Sequence, residues 1–297
     1  MPEQVCSISG LAYLQLSTSR EQLKEDLAET FGFRNFDGKP DGLIQIDLRS
    51  NTKEERIHTA AFVGNCNKEI ASIIPGLTHK VINSEEIKEF PGAARRKSKI
   101  CFDFIDHIAL VVHLQDFAST SEWYQKTFGL VKIVEHRISA RNNGMILTVL
   151  KPPDSHFAIV ISASLSKSDQ TDHIKSYLSR NGPGIQHIAF HCNIHQELKK
   201  IEQIDSLEIV PTPMNYYTRP HVQECVQKIK YDIHSLQKNN ILIDFEDLNK
   251  AEIILQAFTK PVLENGVFFE LIERWNGSQG FGKQNVKALW EGIEENC

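Results

Sequence analysis

Asp106-His107-Ile108-Ala109-Leu110 recurs 80 residues later as Gln186-His187-Ile188-Ala189-Phe190, and these two copies decide the fold. Both keep the His-Ile-Ala core among apolar or β-branched residues, which is typical of a buried strand. Similar segments at a fixed offset indicate a duplicated structural unit. We therefore expect two equivalent strands that carry a histidine at the same position.

A third, weaker copy precedes these two at Gly10-Leu11-Ala12-Tyr13-Leu14. Gly10 lies 97 residues before His107, and the same offset separates Thr30-Phe31-Gly32-Phe33 from Thr127-Phe128-Gly129-Leu130. Because this copy has Gly10 in place of the histidine, it cannot supply a matching metal ligand. We interpret it as a degenerate, structural copy.

Each copy begins a predicted βαβββ unit. After His107, an amphipathic stretch from about Phe117 to Phe128 predicts a helix. The strand-like runs that follow it are Val131–Val134, Met145–Leu150 and Phe157–Ser162. After His187, the matching segments are a helix near His195–Ile204 and strands at Ile241–Phe245, Ile253–Phe258 and Phe268–Glu273. The predicted class is α+β, with tandem βαβββ modules that form two open, barrel-like domains.

We predict a shortened N-terminal βαβββ-type domain at residues 1–99 and a C-terminal domain at residues 100–297 that contains the candidate site. The segment from about Asn83 to Lys99, with Pro91-Gly92 and a basic run, is interpreted as the connection. A final helix is predicted from the spacing of its apolar residues. These residues are Val286, Leu289, Trp290 and Ile293. We expect this helix to close the mouth of the C-terminal barrel.

The composition argues against two classes of function. Hydrophobic residues make up 41% of the 297 residues and the net charge is −5, which favours a globular protein and argues against nucleic-acid or membrane-surface binding. No apolar run reaches the roughly 18 residues that a membrane span needs. The six cysteines include no C-x-x-C pair, so we expect inert thiols, a reducing compartment and a cytoplasmic location.

His107, His187 and Glu270 are the candidate metal ligands. The two histidines stand out among twelve because they occupy the same position of two repeated modules. Glu270 lies in the apolar run Val267–Ile272, where a buried carboxylate needs a compensating group such as a cation. Two imidazoles and one carboxylate leave three coordination positions open, which suits iron(II) and oxygen chemistry.

Other interpretations of these residues are structural. A single histidine at a strand start is more often a hydrogen-bonded core residue, and a single strand glutamate is more often at an edge or salt-bridged. His187-x-x-x-His191 has the spacing of a helical zinc pair, but its segment is strand-like and lacks the glutamate of H-E-x-x-H. The equivalence of the two histidines favours the metal site.

Four stretches resemble the 4-hydroxyphenylpyruvate dioxygenase family of the vicinal oxygen chelate superfamily. They are Gly184–Ala189, Gln256–Pro261, Phe268–Arg274 and the tail Gly280–Trp290. Together they run in the family's order over about the last two-thirds of the chain. The resemblance implies that His107, His187 and Glu270 hold iron(II).

The resemblance also implies the reaction and much of the pocket. The substrate's own α-keto acid group would chelate the iron, and reaction with dioxygen would release carbon dioxide and hydroxylate the rest of the same molecule. The implied pocket residues are Gln256, Phe258, Phe268, Phe281, Gly282 and Asn285. From the resemblance we also expect the protein to assemble as a homo-oligomer.

The chain departs from the family at the substrate end of the pocket. By alignment, Leu147, Ser162 and His173 stand where the plant and animal enzymes have serine, asparagine and glutamine. Val286 and Trp290 replace two pocket-facing phenylalanines. A smaller aliphatic residue at the first of these also occurs in 4-hydroxymandelate synthase, the sister enzyme that hydroxylates the benzylic carbon. Equally, these five residues could be co-adapted packing that leaves the chemistry unchanged.

Several functions therefore stay open at the level of sequence. The first is conversion of 4-hydroxyphenylpyruvate to homogentisate, as part of aromatic amino acid metabolism. Benzylic hydroxylation to 4-hydroxymandelate competes with it, as does a phenylpyruvate or branched aliphatic keto acid substrate. An extradiol dioxygenase or glyoxalase-like isomerase is disfavoured by the tail and the Phe-Thr-Lys-Pro stretch. A non-catalytic binding protein on the same fold is the remaining alternative.

Overall fold

The computed structural model describes residues 6–31, 34–35, 44–47, 55–87, 99–140, 143–166, 172–202, 204 and 207–287. Its strands form two mixed sheets. The N-terminal elements are β1 (Ile8–Ser17), α1 (Glu21–Phe31), β2 (Arg34–Asn35), β3 (Ile44–Asp47), β4 (Arg56–Gly64), β5 (Lys68–Ala71), β6 (Thr78–Asn83) and α2 (Ser84–Ile87). The six strands pair in the order β2-β3-β1-β4-β6-β5, with β1 and β4 antiparallel at the centre.

The C-terminal sheet has eight strands in the order β12-β13-β14-β11-β7-β10-β9-β8. Its first half contains β7 (Phe104–Val111), α3 (Phe117–Phe128), β8 (Val131–Ala140), β9 (Asn143–Lys151), β10 (Ala158–Ser164) and α4 (His173–Asn181). Its second half contains β11 (Gly184–His191), α5 (Ile194–Ile201), α6 (Pro220–Ile229), α7 (Ile233–Lys238), β12 (Leu242–Asp247), β13 (Glu252–Phe258) and β14 (Phe268–Trp275). Short 3-10 helices lie at Leu114–Asp116 and Met214–Thr218.

The two halves of this sheet have the same topology. In each half the first strand pairs in parallel with the last strand of its module, β7 with β10 and β11 with β14. The halves meet where β7 and β11 run antiparallel, with Ile108 opposite Ile188. The duplicated motif therefore forms the central seam of the sheet. The predicted α+β class with tandem βαβββ modules is confirmed.

The N-terminal part packs against the face of the C-terminal sheet that lies opposite the candidate ligands. Phe31 at the end of α1 is buried and contacts Phe190 and Phe269, with ring centroids 5.2 and 5.0 Å apart. Phe190 and Phe269 alternate with the residues that face the other side of β11 and β14. Packing from the N-terminal part thus supports the strands that carry the candidate ligands.

The predicted elements of the repeated modules agree with the structure, although their ends shift. The predicted helix at residues 117–128 matches α3 within one residue, and each predicted strand lies within or overlaps an observed strand. Among the described elements, the helices α2, α4, α6 and α7 were not predicted. The last two lie in the long insertion before β12, which has no counterpart in the first module.

The predicted final helix and the predicted connection between the domains are only partly described. The final helix is described only over residues 283–287, so Leu289, Trp290 and Ile293 lie outside the described residues. Residues 88–98 of the interpreted connection also lie outside them, and the domain boundary at residue 99 stays a prediction. Among the described residues, no helix is long and apolar enough to cross a membrane.

The prediction of unpaired thiols is wrong for two of the six cysteines. Cys6 and Cys66 form a disulfide whose Cα atoms are 6.2 Å apart. The antiparallel pairing of β1 with β4 places Ile8 opposite Gly64, and this brings the two cysteines together at the same end of both strands. Their 60-residue separation gave no sequence signal of the pair. Cys101, Cys192 and Cys225 are free thiols.

Candidate metal centre

The register of three neighbouring strands brings the candidate ligands to one face. His107 and His187 are each the fourth residue of their strands, β7 and β11. Across the seam, His107 lies opposite Ala189, and Ala189 lies opposite Glu270 on β14. Side chains alternate along a strand, so these residues point to the same side of the sheet.

The alanine of each repeated motif leaves room for the histidine of the other copy. Ala189 lies opposite His107, and Ala109 lies opposite His187. Both alanines are buried. A larger side chain at either position would stand between the ligands, so the complete His-Ile-Ala motif has a physical reason.

The three candidate ligand atoms converge within 4.8 Å of one another. The Oε2 of Glu270 is 3.4 Å from the Nε2 of His107 and 3.4 Å from the Nε2 of His187. Two ligands at right angles around one ion, each at about 2.1 Å, would be separated by about 3 Å. The donor set and its spacing therefore fit a divalent metal ion held on one face.

The electrostatic field at the centre favours a positive charge. Burial alone would lower the pKa of His107, but the neighbouring carboxylates of Glu270 and Asp106 raise it to about 9. Burial and the charge of His107 hold the pKa of His187 well below its usual range. The field that draws a proton to His107 would equally draw a metal cation, while His187 stays neutral as a metal ligand must.

Asp106 and Arg274 orient His107. The Nδ1 of His107 donates to the Oδ1 of Asp106 at 2.8 Å, which leaves Nε2 free to face the centre. Arg274 donates to both oxygens of Asp106, at 2.7 and 2.8 Å. Burial would raise the pKa of Asp106, but these hydrogen bonds hold it well below its usual range. The carboxylate is therefore ionised and fixed.

Gln256 and Asn285 orient Glu270. The Nε2 of Gln256 donates to the Oε1 of Glu270 at 2.8 Å, and the Nδ2 of Asn285 donates to the Oε1 of Gln256 at 2.7 Å. Gly282 packs directly on this amide with φ +65°, and a Cβ there would overlap the Oε1 of Gln256. Both the backbone conformation and the close approach thus require glycine.

Three of the predicted pocket phenylalanines line the centre. The ring of Phe268 stacks on His187 with centroids 4.8 Å apart, and Phe281 meets His107 edge-on at 5.2 Å. Phe258 contacts Phe268 at 6.2 Å and lies opposite Glu270 on β13. These rings form an apolar wall beside the ligand atoms.

Four of the remaining predicted pocket residues, Leu147, Ser162, His173 and Val286, belong to the described part of the chain. Leu147 and Ser162 are cross-strand partners on the concave face, and the hydroxyl of Ser162 donates to the carbonyl of Leu110. His173, at the start of α4, is close enough to His187 for its charge to lower the pKa of His187. Val286 is half-buried against the core, and Trp290 lies outside the described residues.

Comparison with known proteins identifies the family. No family model matches the chain. The chain is 33% identical over 214 residues to "Hemolysin VllY" of Vibrio vulnificus, covering 71% of this chain and 57% of that protein. It is also 33% identical over 204 residues to "4-hydroxyphenylpyruvate dioxygenase" of Danio rerio, covering 65% of this chain and 49% of that protein. The chain belongs to the 4-hydroxyphenylpyruvate dioxygenase family.

The fold agrees with this assignment. A triple variant of 4-hydroxymandelate synthase from Streptomyces coelicolor superposes with a TM-score of 0.76, covering 98% of this chain and 99% of that one at 20% identity. That likeness shows the shared vicinal oxygen chelate fold. The chain spans little more than half the length of the curated relatives it matches.

Sequence reasoning missed several residues of this 4-hydroxyphenylpyruvate dioxygenase-family centre. Two of them could have been found from the sequence. Asp106 directly precedes His107 in the repeated motif, and Arg274 ends one of the stretches that carry the resemblance. Ala109 and Ala189 also belong to the repeat. Tyr216, which contacts Asn285, lies in the insertion before β12, where no motif or repeat pointed to it.

We predict that Glu270→Gln abolishes stable binding of iron(II). The substitution keeps the size of the side chain but removes the charged ligand, so affinity should fall by more than the roughly 10- to 100-fold cost of losing an outer-shell partner. Iron content after anaerobic loading and gel filtration measures the effect. His191→Gln, on the strand of His187 but bonded to Asp103, is the control and should retain iron. Normal iron content in Glu270→Gln would refute the site.

Proposed function

We propose that the protein is an iron(II)-dependent dioxygenase that oxidatively decarboxylates and hydroxylates an aryl α-keto acid, converting 4-hydroxyphenylpyruvate to homogentisate. The proposal rests on the arrangement of the three candidate ligands. His107, His187 and Glu270 converge from one face of a sheet, and a metal ion held by two imidazoles and one carboxylate would keep coordination positions for substrate and dioxygen. Membership of the 4-hydroxyphenylpyruvate dioxygenase family supports the same chemistry.

Bound iron(II) would supply the chelation point for the keto acid and the means to react with dioxygen. The chain's own residues prepare this site. Asp106 holds His107 in one tautomer, and Gln256 holds one oxygen of Glu270 so that the other faces the histidines. The wall of Phe258, Phe268 and Phe281 would bind the aromatic part of a substrate and limit access of water.

The substrate end has few free polar groups among the described residues. Leu147 is apolar, and the hydroxyl of Ser162 is engaged by the carbonyl of Leu110. His173 is exposed at the start of α4, and only the resemblance assigns it to the far end of the pocket. The apolar wall therefore favours an aromatic ring in the substrate, but the described residues do not select for a hydroxyl group on that ring.

A second candidate is benzylic hydroxylation, with 4-hydroxymandelate as the product. Val286 favours it, because this half-buried residue lies one position after Asn285 on the tail helix that contacts Gln256. A small side chain there would let the aromatic ring shift relative to the iron. Phenylpyruvate and branched aliphatic keto acids are further candidates, since neither needs a polar group at the far end of the pocket.

We predict oxygen uptake when the iron-loaded protein meets an aryl α-keto acid. The protein is loaded with iron(II) without oxygen and mixed in turn with 4-hydroxyphenylpyruvate, phenylpyruvate and a branched aliphatic keto acid before oxygen is admitted. Products must be separated chromatographically, because homogentisate and 4-hydroxymandelate are isomers. The proposal expects homogentisate from 4-hydroxyphenylpyruvate, with one carbon dioxide released per dioxygen consumed.

Two results would contradict parts of this proposal. 4-Hydroxymandelate as the main product would favour the second candidate and keep the dioxygenase class. Iron binding without oxygen uptake for every keto acid would reject the enzyme and favour a binding protein. The Glu270→Gln variant is the matched control, since any uptake that it retains does not come from this site.

We predict that Val286→Phe raises the proportion of ring-hydroxylated product. An added ring would fill the space beside Gln256 and restrict the position of the substrate's own ring. The ratio of homogentisate to 4-hydroxymandelate, measured on one sample by chromatography, reports the change. Gln284→Phe adds the same ring at an exposed position of the same turn and should leave the ratio unaltered. An unchanged ratio in Val286→Phe would show that residue 286 does not influence which carbon is hydroxylated.

A further inference from the structure

We propose that Tyr216 is a positioning residue that fixes Glu270 through Asn285 and Gln256 and thereby couples docking of the tail, residues 278–287, to metal binding. The inference rests on the proposed metal site. Tyr216 belongs to the 3-10 helix Met214–Thr218 and is almost completely buried. It touches none of the candidate ligands, so its effect would pass through the side chains between them.

An unbroken chain of buried hydrogen bonds joins Tyr216 to the centre. The hydroxyl of Tyr216 is 2.7 Å from the Oδ1 of Asn285. The Nδ2 of Asn285 is 2.7 Å from the Oε1 of Gln256, and the Nε2 of Gln256 is 2.8 Å from the Oε1 of Glu270. All four side chains are 3% exposed or less. In such surroundings an unmade hydrogen bond is costly, so the chain acts as a unit.

The carboxylate sets the direction of every bond in the chain. Glu270 as a carboxylate can only accept, so Gln256 must present its amide N–H to it and its oxygen to Asn285. Asn285 must then donate with its nitrogen, which leaves its oxygen to accept from the hydroxyl of Tyr216. Reversing any one amide would place two donors or two acceptors face to face. The orientations of the two amides are therefore fixed, and the hydroxyl proton of Tyr216 is shared between the Oδ1 of Asn285 and the carbonyl of Ile243.

The far end of the chain is anchored to backbone rather than to another side chain. The hydroxyl of Tyr216 accepts from the amide of Ile243 at 2.7 Å and lies 2.9 Å from the carbonyl of the same residue. Ile243 is on β12, the outermost strand of the sheet. The edge of the sheet thus fixes the hydroxyl, and the hydroxyl fixes Asn285.

The tail is tied to the metal centre at two points. Asn285, in the tail helix, ends one tie at Glu270. The other runs from His107 through Asp106 to Arg274, whose guanidinium donates to the carbonyls of Ser278 and Gly280 at 3.2 and 2.6 Å. Arg274 also lies over the ring of Phe281 at 4.9 Å. Since both ties end on ligands, docking of the tail and metal binding should stabilise each other equally.

The test compares Tyr216→Phe with Tyr217→Phe. The two tyrosines are neighbours in the chain, and both are buried and make a hydroxyl bond to backbone. The hydroxyl of Tyr217 bonds to the carbonyl of Leu236 and to Thr212, and among the described residues neither of these contacts a candidate ligand. Each variant loses one buried hydroxyl. A merely structural role predicts similar losses in both, whereas a positioning role predicts a loss of metal affinity only in Tyr216→Phe.

Two measurements are made on the full chain. Iron(II) affinity is determined anaerobically by competition with a chelator, and hydrogen exchange of residues 278–287 is followed with and without iron(II). We expect Tyr216→Phe to weaken iron(II) binding about 10-fold and to reduce the slowing of exchange that metal causes in the tail. Tyr217→Phe should bind iron(II) within about 2-fold of the unmodified protein and keep the metal-dependent slowing.

A second variant keeps the test valid if Tyr216→Phe folds poorly. Asn285→Asp preserves the shape of the side chain but removes the N–H that donates to Gln256, so it should also weaken iron(II) binding. In the double variant the two losses should not add, because both substitutions break one chain. Fully additive losses, or equal affinities in all variants, would overturn the inference. An unmodified protein that binds no iron(II) would instead overturn the proposed metal site itself.

Discussion

The antiparallel pairing of β7 with β11 sets the position of both candidate histidine ligands. It places each repeated histidine opposite the alanine of the other copy, so that both imidazoles lie on the same face of the sheet. The parallel pairing of β11 with β14 then adds Glu270 in the row that contains His107 and Ala189. A shift of one residue along either strand would turn a ligand to the opposite face, into the apolar contact with the N-terminal part.

Much of this could be predicted because the signal was local and repeated. The His-Ile-Ala motif predicted two equivalent strands, and the apolar run around Glu270 predicted a third. The disulfide between Cys6 and Cys66 could not be predicted, since it depends on the register of β1 with β4. The role of Tyr216 depends on a contact across 69 residues with Asn285. Periodicity and motif spacing carry no information about such pairs.

The two ends of the candidate site differ in how completely the structure defines them. At the metal end each ligand has an identified support: Asp106 for His107, Phe268 for His187 and Gln256 for Glu270. At the substrate end the described residues offer Leu147, an engaged Ser162 and a histidine on α4. The chemistry of the centre is therefore more strongly determined than the identity of the substrate. The tail connects both ends, because it supplies Phe281 to the wall and Asn285 to the support of Glu270.

One iron ion held between the two repeated histidines and Glu270 would be visible in anomalous diffraction. Data would be collected on both sides of the iron absorption edge from crystals of protein loaded with iron(II) without oxygen. We expect a single iron-specific peak within bonding distance of the Nε2 atoms of His107 and His187 and a carboxylate oxygen of Glu270. A peak at other side chains, or none in protein that has retained iron, would contradict it.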